Sequence, residues 1–158
     1  MEKAALKEHR RHSTADKPFS YYISNIPEYF PNAPMHWHKE FELNVILEGE
    51  GDFVTGDIHF TAYKGDIVLT PPDMLHAVYQ HDDKRCVYDT LDLDGSMLGS
   101  RDNGRAADAF IAPLISGAYS IETHITPEHC YYSELLTTAE NMISAAKGDT
   151  PLLDMLIK

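Results

Sequence analysis

The feature that most limits how this chain can fold is the rhythm of turn residues between Met35 and about Val87. Gly49, Gly51, Gly56 with Asp57, Gly65 with Asp66, and the run from Pro71 to Asp73 interrupt the apolar stretches at short intervals. Glycine and aspartate tolerate the backbone angles of tight turns, and proline ends regular structure before it. Between the interruptions lie MHWHKEFELNVILEGEG, DFVTGDIHFTA, GDIVLTPP and HAVYQ. The pattern predicts consecutive short strands forming a small barrel or sandwich.

The flanks read differently. Residues 1–17 form a polar leader, helical at its start and peripheral to the fold, followed by the strand-like Pro18 to Ser24. The run PEYFPNAP, Pro27 to Pro34, predicts a loop, because proline lacks the amide donor and holds its predecessor extended. After Asp94 the periodicity turns helical. Ala107, Phe110, Ile111 and Leu114 recur at helical spacing, with Pro113 shortening the element. A second helix is predicted from Thr126 as cap and Pro127 in the first turn to a stop at Gly148. Its apolar stripe is Tyr132, Leu135, Leu136, Ala139, Met142 and Ile143. A third helix starts at Thr150 and Pro151, and its apolar run reaches Lys158 in want of a packing partner. The expected organisation is a leader (1–17), a β-barrel (18–94) and a truncated helical extension (95–158), in a piece cut from a longer protein.

Composition narrows the partners. Of 158 residues, 13 are basic and 25 acidic, a formal net charge of −12, which repels a phosphate backbone, so this segment alone should not bind nucleic acid. No apolar run approaches the roughly 20 residues of a membrane helix, and the charged stretch Met1 to His12 lacks a secretory core, which predicts a cytoplasmic protein. Cys86 and Cys130 form no CxxC pair and are expected to be free, buried thiols.

The chemistry-bearing residues cluster on the first of the strands. On an extended chain side chains alternate, so His36, His38, Glu40, Glu42 and Asn44 share one face, opposite Trp37, Phe41, Leu43, Val45 and Leu47. The polar face is read as the interior, and the helical stripe as cover for the apolar exterior. If GDIVLTPP pairs antiparallel with this strand, His76 is carried back over His36 and His38. Three imidazoles and a carboxylate form a donor set that Zn, Ni, Fe or Mn accepts, and the same residues serve equally as pocket walls hydrogen-bonding to a ligand. Glu40 and Asn44 are candidate pocket residues or rim residues. Trp37, Phe41 and Tyr79 are expected in the core. His59, His81, His124 and His129 have no ligand spacing.

HWHKEFELNVILEGEG is similar to the first cupin motif, met by His36, His38, Glu42 and Gly49. GDIVLTPPDMLHAVYQ is similar to the second, met by Gly65, Pro71 and His76. Phe30, Asp73 and Gln80 stand where the motifs usually carry Gly, Gly and Asn. Among cupins the chain resembles the N-terminal domain of AraC-type transcription regulators, with its HWH strand, LEGEG turn and helical tail, over about Pro18 to Lys158.

The resemblance implies a mainly β protein with C-terminal helices, a double-stranded β-helix (jelly-roll) barrel plus a helical extension. It implies a non-enzymatic sensor whose pocket, formed by His36, His38, Glu40, Glu42, Asn44, His76 and Gln80, takes a small effector such as a sugar or hydroxy acid. A divalent metal on His36, His38, Glu42 and His76 would be part of it. It further implies a homodimer that contacts DNA through a C-terminal domain absent from this chain. The rival is a stand-alone metal-dependent cupin enzyme, a dioxygenase or sugar isomerase, using the same four residues.

Overall fold

The computed structural model describes residues 2–95, 109 and 112–148. Its strands are β1 (Phe19–Ile26), β2 (Asn32–His36), β3 (Phe41–Thr55), β4 (Ile58–Tyr63), β5 (Ile67–Thr70), β6 (His76–Gln80), β7 (Cys86–Leu93) and β8 (His124–Ile125). Among the described residues two helices lie in the tail, the four-residue α1 (Ala112–Ile115) and the long α2 (Tyr132–Lys147). Mainly β with C-terminal helix is thus the observed architecture. Among the described residues no helix is long and apolar enough to cross a membrane.

Strand β3 is the hinge of the barrel, because it is long enough to serve two sheets. Its first half lies in the order β1-β7-β3-β5-β8, and its second half joins β4 and β6, with β2 beyond β6. All the strand pairings are antiparallel, and sharing β3 between the sheets curls them into a jelly-roll. The turn from one half to the other runs through Gly49, whose φ is +74°; a Cβ there would lie 1.7 Å from the Arg85 carbonyl oxygen. Only glycine lets β3 and the β6–β7 connection approach so closely.

Alternation along β3 sorts the side chains as expected. Leu43 and Val45 face outward into a core with Phe19, Ile67, Leu91, Leu93, Ile125 and the α2 residues Ala139 and Ile143. The predicted helical stripe is therefore the cover of the sheet, with Tyr132, Leu135, Leu136 and Met142 packed against the same core. The opposite parity, Glu42, Asn44 and Ile46, points inward. The interior is polar only at one end: Ile46 belongs to a second core with Ile26, Phe53, Ala62, Val68, Val78, Cys86 and Tyr88.

Several expectations are corrected. The predicted loop Pro27–Pro34 ends early, since Asn32 to Pro34 already belong to β2. Helix α2 starts at Tyr132 rather than near Thr126, because the His129 imidazole accepts the Thr126 amide and closes a separate turn. Cys130 is exposed, whereas Cys86 is buried. Tyr79 lies on the exposed outer side of β6 instead of in the core. Of the helix predicted around residues 104–117 the described α-helical part is Ala112–Ile115, and the third helix lies outside the described residues.

The leader is the largest correction. After a short 3-10 turn, Lys3–Leu6, it lies alongside the chain at Trp37. The Trp37 amide donates to the Leu6 carbonyl and the Glu8 amide to the Trp37 carbonyl. The Trp37 indole N–H donates to the Lys3 carbonyl, with the Lys3 and Lys7 ammonium groups over the ring. Charge spread over residues 1–12 gave no hint of this docking, which depends on backbone pairing.

Candidate functional site

One end of the barrel carries the site. His36 ends β2 and faces His76, the first residue of β6, directly across the sheet. Their rings lie 4.1 Å apart. His38 is not on a strand: the run read as one strand breaks between β2 and β3, and parity alone does not explain its inward position. The connector is fixed instead by the Asp73 amide, which donates to the His38 carbonyl from a left-handed backbone position (φ 60°), and by the leader bonded to Trp37.

Glu42 sits near the start of β3, in register with Asp92 of β7 on one side and Thr70 of β5 on the other. The Asn44 amide donates to its Oε1 at 2.7 Å, and the Thr90 hydroxyl donates to the Asn44 oxygen at 2.6 Å. With Oε1 held from behind, Oε2 faces two imidazoles, 3.3 Å from His38 Nε2 and 3.4 Å from His76 Nε2. Donor atoms of His36, His38, Glu42 and His76 all lie within 4.8 Å of one another.

Electrostatics agree with this convergence. Burial works against the Glu42 charge, yet the His76 and His38 rings beside it hold its carboxyl well below the usual carboxylate range. His76 is raised by Glu42 despite its burial, while burial and the neighbouring His76 lower His36. Burial and the nearby Glu42 charge push Asp92 up. His12, unforeseen in sequence, is buried between two carboxylates, 2.7 Å from Asp92 and 2.9 Å from Glu8. Burial opposes its charge, but these hydrogen bonds push its pKa up to about 11.

Three buried polar atoms at this end make no hydrogen bond: His38 Nδ1, His76 Nε2 and Asp92 Oδ1. Orphaned polar atoms in a folded interior are rare and costly, about 1–3 kcal/mol each. Donors held about 2.0–2.2 Å from one ion stand about 3–3.4 Å apart, which matches the spacings at Glu42 Oε2. The donor set, the spacing and the orphaned His76 nitrogen all fit a divalent transition metal.

A cavity of about 480 Å³ opens onto the cluster. His36, Glu42, His76, Thr90 and Asp92 line it at the cluster; Ile23, Phe30, Ala33, Val78 and Tyr88 add apolar surface, and Arg10, Ser24 and Asn32 further polar groups. Glu8 and His12 of the leader form part of the wall. The other sequence candidates stand elsewhere. Asn44 acts behind Glu42. Glu40 lies behind His38, 3.5 Å from its Nδ1, and accepts from the Ser13 hydroxyl at 2.6 Å. Gln80 is not in the pocket: it ends β6 opposite Gly51 and donates to the Lys84 carbonyl. It shares parity with His76, but four residues of extended strand, about 13 Å, separate the two.

Comparison with known proteins shows the family. Residues 20–101, about half the chain, match the family described as AraC-like ligand binding domain. The chain belongs to that family. As an AraC-like ligand binding domain it also has a curated relative, the uncharacterized HTH-type transcriptional regulator YdeC of Bacillus subtilis (strain 168). The two are 27% identical over 89 residues, covering 56% of this chain and 31% of the relative. The chain thus spans about a third of that relative's length. Solved structures similar to this AraC-like domain include a cupin protein from Bacteroides fragilis, 19% identical, covering 49% of this chain and 66% of that one, with a TM-score of 0.45. A Cupin 2 conserved barrel domain protein from Salinispora arenicola is 21% identical, covering 56% and 73%, with a TM-score of 0.44.

Proposed function

We propose that this AraC-like domain senses a small-molecule effector that enters the barrel cavity and docks at a divalent metal held by His36, His38, Glu42 and His76. The observation that carries the reading is a cavity lined by three of the four convergent donors, His36, Glu42 and His76, with His38 behind them. A lining that mixes apolar side chains with several polar groups suits a compact, oxygen-rich molecule such as a hydroxy acid or sugar. The metal, Zn, Ni, Fe or Mn, would supply Lewis acidity for a hydroxyl or carboxylate oxygen.

The family match supports a sensor rather than an enzyme. The regulator would be a cytoplasmic homodimer, joined through its helical extension and bound to DNA through a helix-turn-helix part outside this chain. The effector would act by its affinity difference between two arrangements, typically about 1–3 kcal/mol of coupling.

Elemental analysis of the purified wild type and of the His36→Ala, His38→Ala double variant tests the metal assignment. One transition-metal ion per wild-type chain and none in the variant is the expected outcome; equal content in both refutes the ligand set. A thermal-shift screen of hydroxy acids and sugars against the metal-loaded protein then tests sensing. At least one compound should raise Tm in the wild type and not in the variant, and a blank screen across both classes counts against the proposed effectors.

A further inference from the structure

Besides Asp92, the four barrel residues leave the carboxylate of Glu8 at the cluster unaccounted for. Glu8 belongs to the leader, far from the barrel motifs in sequence, yet its Oε2 lies 3.5 Å from His36 Nε2. Glu8 also falls in a second convergent donor set, with His12 and His38, whose donor atoms lie within 4.8 Å of one another. His38 is common to both sets.

Which atom of His36 could bind a metal is fixed by its other nitrogen. His36 Nδ1 is 2.7 Å from the Pro34 carbonyl, an acceptor only, so Nδ1 carries the hydrogen and Nε2 is the ligating atom. That nitrogen faces Glu8 Oε2 at nearly the spacing at which His38 and His76 Nε2 face Glu42 Oε2. Glu8 Oε2 thus faces His36 as Glu42 Oε2 faces the other two imidazoles, while also pairing with His12 Nε2 at 2.9 Å. Two carboxylates also neutralise a divalent ion, which one does not.

We propose that Glu8 is a further ligand of the metal centre, supplied from outside the barrel, so that metal binding fastens the leader over the site. The inference rests on the metal reading above. It gives the leader a role beyond covering Trp37: backbone bonds to Trp37, the indole bond to Lys3, the His12–Asp92 pair and the Ser13–Glu40 bond fix it, and of its contacts only the Glu8 carboxylate would depend on the ion.

Zn(II) alone serves as the probe, with the full chain, in wild type and Glu8→Gln. Glutamine keeps the size of the side chain and its amide oxygen can still accept from His12, but it is a poorer metal ligand. Calorimetry should show one Zn(II) bound in both, with the Kd raised about ten- to a hundredfold in Glu8→Gln. Exchange of the Glu8 and Trp37 amides, which bond to Trp37 and Leu6, should slow at least tenfold on adding Zn(II) to the wild type and remain unchanged in the variant. A variant Kd within twofold of wild type, with the two wild-type amides exchanging alike with and without Zn(II), overturns Glu8 ligation and leaves the four-residue site standing. A wild type that takes up no Zn(II) overturns both readings together.

Discussion

Asn44 is gripped from both sides, accepting from Thr90 and donating to Glu42 in a space closed to water. Asn44→Ala strands a hydroxyl and a carboxylate oxygen there, and should cost about 1–3 kcal/mol in urea denaturation. Because Glu42 then loses its orientation, Zn(II) affinity should fall about ten- to a hundredfold by calorimetry. Unchanged affinity at reduced stability would limit Asn44 to a packing role. A second residue test concerns His81, whose Nδ1 lies 2.8 Å from Asp52 Oδ1 at the rim far from the site. The hydrogen bond with Asp52 raises its pKa. The protonated form is thus favoured by folding, so its contribution is present below the ordinary histidine value, about 6.5, and is lost as pH rises through the elevated folded value. An NMR titration should place the His81 midpoint above that of a free histidine, and Asp52→Asn should return it toward 6.5. At this scale the sequence was legible where parity decides direction: Glu42 and Asn44 face inward as alternation requires. Parity says nothing of position along a strand, which is why Gln80 was misplaced. Glu8, His12 and Asp92 carried no local signal, since their role arises from docking and register between distant segments.

Helix α2 is held by an apolar stripe, with Ala139 and Ile143 set into the sheet beside Leu43, Val45 and Leu91. Lys147, in its last turn, adds an ion pair with Asp89 at 2.9 Å on the outer face of β7, where the Tyr21 hydroxyl also donates to Asp89. Truncating Ile143 to alanine leaves a cavity between helix and sheet and should cost about 2–5 kcal/mol. Because β3 and β7 carry Glu42 and Asp92 on their other faces, the site should be disturbed only as far as the sheet shifts. Chemical denaturation beside Zn(II) calorimetry checks this: stability falls while the metal Kd of the folded variant stays within about threefold, on the additivity expected of separated sites. The helix and its buried face were legible because a 3.6-residue period identifies both. Its start was not, since Thr126, Pro127 and Glu128 form as good a cap in sequence as any, and only the His129 imidazole diverts them into a turn. The strands were legible from their turn residues, whereas the break at residues 37–40 was hidden within an unbroken alternation.

Across the whole molecule the metal would join parts that are distant in the chain: β2 and its connector, β3, β6 and, through Glu8, the leader. A ligand that binds only this assembled state stabilises all of it, by about 2.7 kcal/mol at a concentration a hundred times its Kd. For a chain of this length that corresponds to a rise in Tm of about 5–10 °C. The excess of acidic over basic residues acts in the same direction, because Glu42, Asp92 and Glu8 crowd one end of the barrel and a cation relieves their repulsion. Differential scanning calorimetry with Zn(II) should therefore show the rise in wild type, its reversal by a chelator, and none in the His36→Ala, His38→Ala variant. In Glu8→Gln the same Zn(II) concentration is a smaller multiple of Kd, so the shift should shrink without vanishing. A shift of equal size in the double variant would mean that zinc acts through the general acidity of the surface, and the donor cluster would lose its claim to be a specific site.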